Sequence, residues 1–197
     1  LKPASPLLAC ALALLLAACQ RGSGENSPPV DNAPESKAEA PVAPPKQEET
    51  VGFGGFGPAH FGDGEAAVRL AWGRPLQASG SEPMSCLQLF PDPRPVKGFG
   101  TSFMLVNARF VRFDVDEDLY PAPGGGRVGS TAEELLQRYA GHVEQVPHKY
   151  VEGARYFIVR PPGGGEAKLI FEISPQGKAQ RWRVGLPPAV DYVEGCS

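Results

Sequence analysis

FMLVNARFVRFDV, residues 103–115, decides the fold. Two apolar runs flank Asn107-Ala108, so the stretch reads as a β-hairpin closed by a tight turn. Beyond the turn, Phe110, Arg112 and Asp114 alternate with Val111, Phe113 and Val115, the period of two that marks a half-buried strand. LIFEISPQGKAQRWRV at 169–184 repeats the plan, with two strands around the turn formers Ser174-Pro175-Gln176-Gly177. There Ala179, Arg181 and Arg183 alternate with Gln180, Trp182 and Val184.

Upstream of each hairpin lies a glycine-led amphipathic segment. GFGPAHFGDGEAAVRLAWGRPL (55–76) and GGGRVGSTAEELLQRYAGHVEQ (124–145) share a glycine (Gly62, Gly129), a helix-capping residue (Asp63, Ser130) and a short helix. Ser130 with Glu133 fits a capping box, in which each side chain satisfies an orphan backbone N–H. Val68, Leu70, Ala71 and Trp72 form the apolar side of the first helix, and Leu135, Leu136 and Tyr139 that of the second. Gly73 and Gly141 end the two helices, because glycine accepts the left-handed conformation a helix stop requires. The offset is 67 residues at Gly62/Gly129 and 69 at Val115/Val184, so the domain reads as a duplication.

This plan resembles the small repeat of the BamE/SmpA outer-membrane lipoprotein family and of the tandem-repeat β-lactamase-inhibitor proteins. The residues that carry it are Gly62-Asp63-Gly64 and Trp72-Gly73-Arg74-Pro75 in the first copy, and Gly129-Ser130-Thr131 and Ala140-Gly141 in the second. The resemblance implies an α+β fold. Two helix-plus-antiparallel-meander repeats, about 51–120 and 121–197, form one sheet with helices on one face, leaving the other face free to bind a protein.

The N-terminus reads differently. Lys2 precedes an apolar core from Leu7 to Leu16, the layout of a signal peptide over residues 1–18. Leu16-Ala17-Ala18-Cys19 resembles the lipobox of bacterial lipoproteins. That resemblance implies lipidation of Cys19 by diacylglyceryl and fatty-acyl chains such as palmitate. Several acyl chains anchor a protein where one does not. About 20 apolar residues are needed to span a bilayer, and this run is shorter. Gln20 stands where inner-membrane lipoproteins usually carry Asp, which points to the outer membrane, with the domain facing the periplasm. Residues 19–50 contain Pro28, Pro29, Pro34, Pro41, Pro44 and Pro45 among Ala, Glu and Lys, the composition of a disordered tether.

An exported chain changes the reading of the cysteines. Cys10 leaves with the signal and Cys19 is lipidated, so Cys86 and Cys196 remain to form one disulfide, the alternative being two free thiols. Without a CxxC pair there is no support for thiol oxidoreductase chemistry. Residues 51–197 hold 15 basic and 16 acidic side chains, so composition gives no footprint for nucleic acid.

Catalytic signatures are missing from the sequence. His60, His142 and His148 are its only histidines, and no H-E-x-x-H, G-x-S-x-G or P-loop occurs. Asp114, Asp116 and Asp118 match the start of an EF-hand loop, but Leu119 and Gly125 occupy positions that require Gly and Glu. The reading is therefore a non-catalytic domain with no cofactor and no metal site, and a solvated strand end at 114–120.

Binding is the remaining function. PHKYVEGARYFIV (147–159) gathers His148, Lys149, Tyr150, Arg155 and Tyr156, aromatic area with polar tips as enriched at interfaces; the same aromatics also suit a packed strand. The Gly triplets of PAPGGGR (121–127) and RPPGGGE (160–166) read as binding loops or plain connections. Three functions fit: an inhibitor or immunity-type protein acting on a periplasmic hydrolase or toxin, a lectin-like envelope module, or an accessory of outer-membrane assembly. The lectin-like reading needs exposed rings, for which Trp72, Trp182 and Tyr150 are candidates, the two tryptophans also suiting a core.

Overall fold

The structure, a computed structural model, describes residues 50–81 and 85–196. The signal segment, Cys19 and the proline-rich tether up to residue 49 lie outside the described residues.

The domain opens with a miniature antiparallel meander of β1 (Val51–Gly52), β2 (Gly55–Phe56) and β3 (Ala59–His60). Alternating glycines hide these strands from a sequence reading, yet one is required: a Cβ on Gly55 would lie 2.1 Å from the Ala59 carbonyl oxygen. The turn carries Phe56 into the core, where it contacts Trp72, Phe103, Phe113 and Tyr120.

Helix α1 (Glu65–Trp72) leads to β4 (Leu76–Ser81), β5 (Cys86–Pro91), β6 (Thr101–Val106) and β7 (Arg109–Val115). Helix α2 (Ala132–Arg138) leads to β8 (Val143–Pro147), β9 (Arg155–Val159), β10 (Lys168–Ile173) and β11 (Ala179–Gly185). The eight strands form one antiparallel sheet in the order β4-β5-β6-β7-β11-β10-β9-β8. Two four-stranded meanders thus meet at their last strands. The fold is α+β, as expected, with most of its ordered residues in sheet.

Both expected hairpins form. Asn107 and Ala108 adopt φ of 50° and 60°, the double left-handed turn that matches strand twist. The strict alternation after each turn fails, because each hairpin carries a bulge. Leu105 faces Phe110 while Met104 faces Arg112, so Val111 is the extra residue; likewise Ile173 faces Ala179 and Glu172 faces Arg181, leaving Gln180 over. A bulge shifts the faces by one, so Phe110 joins Phe113 and Val115 in the core and parts from Arg112 and Asp114. Ala179 joins Trp182 and Val184 in the same way.

The helix caps also differ from expectation. The N-cap of α1 is Gly64, and the Asp63 carboxylate instead accepts the His60 N–H at 2.8 Å. Leu70 is 74% exposed, so the apolar side of α1 is Val68, Ala71 and Trp72. The capping box of α2 is Thr131 with Glu134, one residue beyond Ser130 and Glu133. Gly73 ends α1 at φ 67°, whereas α2 stops at Arg138, ahead of Gly141.

The face of the sheet away from the main core is not free. After β11 the chain turns through a 3₁₀ segment (Ala189–Asp191), and Val190 packs on Ile170 and Tyr156. The Leu186 N–H bonds to the Val111 carbonyl, and Cys196 is joined to Cys86 at the start of β5, with Cα atoms 5.4 Å apart. The last residues therefore form a strap over the second face, stapled across 110 residues of sequence. In the chain-entropy model such a loop stabilises by about 4–5 kcal/mol. The open binding face implied by the resemblance is occupied by the chain's own C-terminus.

Candidate functional site

Two buried arginines hold the strap. Arg112 on β7 pairs with Asp114 two residues on, through Nε at 2.8 and 2.9 Å, and donates from Nη1 to the carbonyls of Ala189 (3.1 Å) and Tyr192 (2.6 Å). On β11, Arg183 donates from Nε to the Val190 carbonyl at 2.7 Å and pairs through Nη1 with Glu172 on β10. Burial, then the neighbouring Arg112 charge, pushes the Arg183 pKa down from its ordinary value. Charges this deeply placed persist only when paired and hydrogen-bonded.

Glu172 links this cluster to a surface cleft. Its carboxylate also lies 3.2 Å from Arg181 Nε and 3.7 Å from His148 Nε2. His148 opens the loop between β8 and β9, and its Nδ1 accepts the backbone N–H groups of Tyr150 and Val151, each at 3.1 Å. With Nδ1 an acceptor, a neutral ring carries its proton on Nε2, facing Glu172. The ring stacks on Tyr156 at 4.5 Å. Burial, then the Glu172 charge, raises the Tyr156 pKa.

The cleft above this base has a volume of about 550 Å³ and is lined among others by His148, Tyr150, Glu172, Gln180, Arg181 and Glu194. Tyr150 is 56% exposed and donates its hydroxyl to Glu194 Oε1 at 2.6 Å, joining loop to strap. Lys149 Nζ sits 5.0 Å from the Tyr150 ring, and hydrogen bonding with Tyr150 holds its pKa above the ordinary value. The arrangement offers donors, acceptors and an aromatic face on a loop fixed from below.

Of the five residues expected to bind a partner, His148 and Tyr150 line the cleft, Lys149 flanks Tyr150, and Tyr156 is buried beneath His148. Arg155 is not part of this surface. It precedes Tyr156 on β9, so it points to the opposite face, where it donates to Gln145 Oε1 at 3.3 Å and lies beside Ala132 and Phe157. Glu172, Arg181 and the strap residue Glu194 escaped the sequence reading. Glu172 carried one signal, a single charge within the apolar strand LIFEI.

The other candidates scatter. His60 and His142 are exposed and neither lines the cleft beside His148, His142 standing at the opposite end of β8. Asp114 pairs with Arg112, Asp118 with Arg127 at 2.8 Å, and Asp116 accepts the N–H groups of Phe99 and Gly100. Among the described residues no group of three or more His, Cys, Asp or Glu is placed to hold a metal ion. No described helix is long and apolar enough to cross a membrane. Trp72 and Trp182 are buried, at 6% and 0% exposure, so neither offers a stacking platform. Of the two glycine tracts, 121–127 is a fitted loop: Gly126 donates to Tyr139 Oη at 2.9 Å, and a Cβ there would meet Phe171 at 2.6 Å. Gly163 and Gly164 in the other tract face open space.

No protein-family model and no curated protein matches the chain. Among solved structures it is similar to the uncharacterized protein yfeY from Escherichia coli, at 14% identity and a TM-score of 0.43, covering 70% of this chain and 97% of that one. It is also similar to an extracellular protein containing an SCP domain from Bacillus anthracis strain Ames, at 9% identity and a TM-score of 0.44, over 64% of this chain. The match spans 44% of that protein's length. A DUF4309 family protein, YjgB, from Bacillus subtilis follows at 11% identity and a TM-score of 0.35, covering 63% of this chain and 78% of its own. With TM-scores below 0.5, these likenesses lend no function to the chain.

Proposed function

We propose that this chain is an envelope lipoprotein, anchored in the outer membrane through Cys19, whose domain binds a protein partner without catalysing a reaction. The observation that carries the binding reading is Tyr150. It stands exposed at the mouth of the cleft, on a loop whose backbone is tied to His148 and whose hydroxyl is tied to the strap. An aromatic anchor already held in place loses little entropy on binding, which is the composition and rigidity of an interface hot spot. Val151 beside it and Tyr192 on the strap are also exposed, at 44% and 40%. The role we favour is that of an inhibitor or immunity-type protein restraining a periplasmic hydrolase or toxin. Burial of both tryptophans weighs against the lectin-like alternative.

We further read the two halves as copies of one unit. The helix–four-strand order recurs, and the bulge residues Val111 and Gln180 are 69 positions apart, the offset of Val115 and Val184.

The test is capture. The oxidised chain is immobilised and exposed to periplasmic extract, with Tyr150→Ala as the control. Retention of one protein at fixed stoichiometry, lost in the variant, supports the reading. Retention of polysaccharide alone, or of the same protein by the variant, overturns it.

A further inference from the structure

The loop 148–154 depends on one side chain in one protonation state. His148 Nδ1 accepts the N–H groups of Tyr150 and Val151, two and three residues further on, each at 3.1 Å. An asparagine carbonyl holds a turn in the same way, but an imidazole loses its acceptor when it takes up a proton. Among the described residues neither N–H has another acceptor. The base of the loop is closed separately, by the His148 N–H on the Ala154 carbonyl at 3.0 Å and the Ala154 N–H on the Val151 carbonyl at 3.2 Å.

The second ring nitrogen faces a different set of groups. Nε2 lies 3.7 Å from Glu172 on β10, and both side chains are only 10% exposed. Arg181 and Arg183, on β11, pair with the same carboxylate. From β9 the Tyr156 ring stacks on the imidazole at 4.5 Å. The loop itself carries Lys149, Tyr150 and Glu152, and the strap Glu194, all of them exposed. Glu172 and Glu194 favour a cation at His148, whereas Arg181, Arg183 and Lys149 oppose it. That balance sets the pH of protonation and not its consequence. A protonated imidazole has two N–H donors and no acceptor, whichever way the ring is turned.

We propose that protonation of His148 releases the loop, and with it the Tyr150 anchor, which makes the cleft a pH-sensitive binding site. The added proton sits on Nδ1, facing two N–H groups that already point at it, so both hydrogen bonds are lost together. Nε2–H keeps its place opposite Glu172, whose carboxylate attracts the new charge, so the ring stays seated on Tyr156 while the loop backbone lets go. Tyr150 then keeps only side-chain contacts, its hydroxyl on Glu194 at 2.6 Å and Lys149 against its ring. The loop is therefore ordered while His148 is neutral and loosens as the pH falls through the range where histidines gain charge. Release of the loop stands on this geometry alone; the loss of partner affinity in acid rests on the binding role proposed above for Tyr150.

The full oxidised chain is titrated from about pH 8 to about pH 5, the span over which histidines change charge. Ring signals in the NMR spectrum report protonation, and His148→Asn identifies His148 among the three histidines. The same variant keeps an uncharged acceptor in the place of Nδ1. In the parent, protection of the Tyr150 and Val151 amides, corrected for the intrinsic exchange rate, should fall about fivefold or more as the ring gains its proton, the worth of one hydrogen bond. Protection in β9 and β10 should hold, and it serves as the check on folding. In His148→Asn the two loop amides should stay protected throughout. Loop amides that stay protected when the ring is charged, the same acid loss in His148→Asn, or a ring that stays neutral until the whole chain unfolds would each overturn the proposal. No partner enters these measurements, so they succeed or fail apart from the capture experiment. Once a partner is captured, acid should speed its release from the parent and not from His148→Asn; equal release from both would break the link between loop and affinity.

Discussion

Arg112 and Asp114, two residues apart on β7, form a buried ion pair whose remaining donors hold the C-terminal strap by the carbonyls of Ala189 and Tyr192. The pair sits on the sheet face that the alternating pattern of the strand had left polar. A polar face without a cover is simply solvated; here it is desolvated and every strap carbonyl it reaches is used.

Removing one partner should therefore be costly. Arg112→Ala strips the buried Asp114 of its hydrogen-bonded partner and leaves only the charge of Arg183, opposite it on β11, so about 3–5 kcal/mol of stability should be lost. The double change Arg112→Met with Asp114→Leu should recover much of the ion-pair cost but not the strap contacts. Urea unfolding of the three proteins measures both. A single variant within about 1 kcal/mol of the parent would mean the pair behaves as if it were exposed.

The disulfide and the arginines act on the same segment. Reduction, or Cys196→Ser, should lower stability by about 2–4 kcal/mol. Amide exchange should speed up most in 186–195, while the β6–β7 and β10–β11 hairpins keep their protection. Uniform loss of protection would instead show that strap and sheet open as one unit.

Helix α2 depends on its capping box. Thr131 Oγ1 accepts the Glu134 N–H at 3.2 Å, and Glu134 Oε2 accepts the Thr131 N–H at 2.8 Å. Thr131→Ala should cost about 1 kcal/mol. Hydrogen bonds from the Thr131 backbone and side chain lower the Glu134 pKa below 4.5. A carboxyl depressed in the folded state contributes stability above its unfolded pKa and loses it as pH falls through the folded one. The acid limb of a stability–pH curve should accordingly flatten in Glu134→Gln, and an unchanged limb would remove the box from the account.

How much of this was legible in the sequence depends on what set each feature. The hairpins at Asn107-Ala108 and at 174–177, both helices and the Cys86–Cys196 bridge follow from local rules, namely turn chemistry, amphipathic spacing and cysteine count. The bulges at Val111 and Gln180 did not, because an extra residue changes which face a side chain takes without altering composition. The strap was hidden for a different reason. Residues 186–196 carry no strand or helix pattern of their own, and their place is fixed by Arg112 and Arg183, distant in sequence. The cleft shared that fate, since Glu172, Arg181 and Glu194 reach His148 only once β9, β10 and the strap are assembled.

His148 connects fold to function most directly. Its Nδ1 takes two backbone N–H groups of the loop, those of Tyr150 and Val151, while Nε2 faces Glu172. His148→Ala removes the acceptor and leaves the sheet beneath it intact, so the main loss should be order in the loop. Amide exchange at Tyr150 and Val151 should accelerate with little change in β9 and β10. Partner affinity should fall through faster dissociation, because an anchor that must be ordered on binding holds less well than one already in place. Equal affinity with a loosened loop would detach the preorganisation of Tyr150 from recognition, and would leave the exposed ring itself as the determinant.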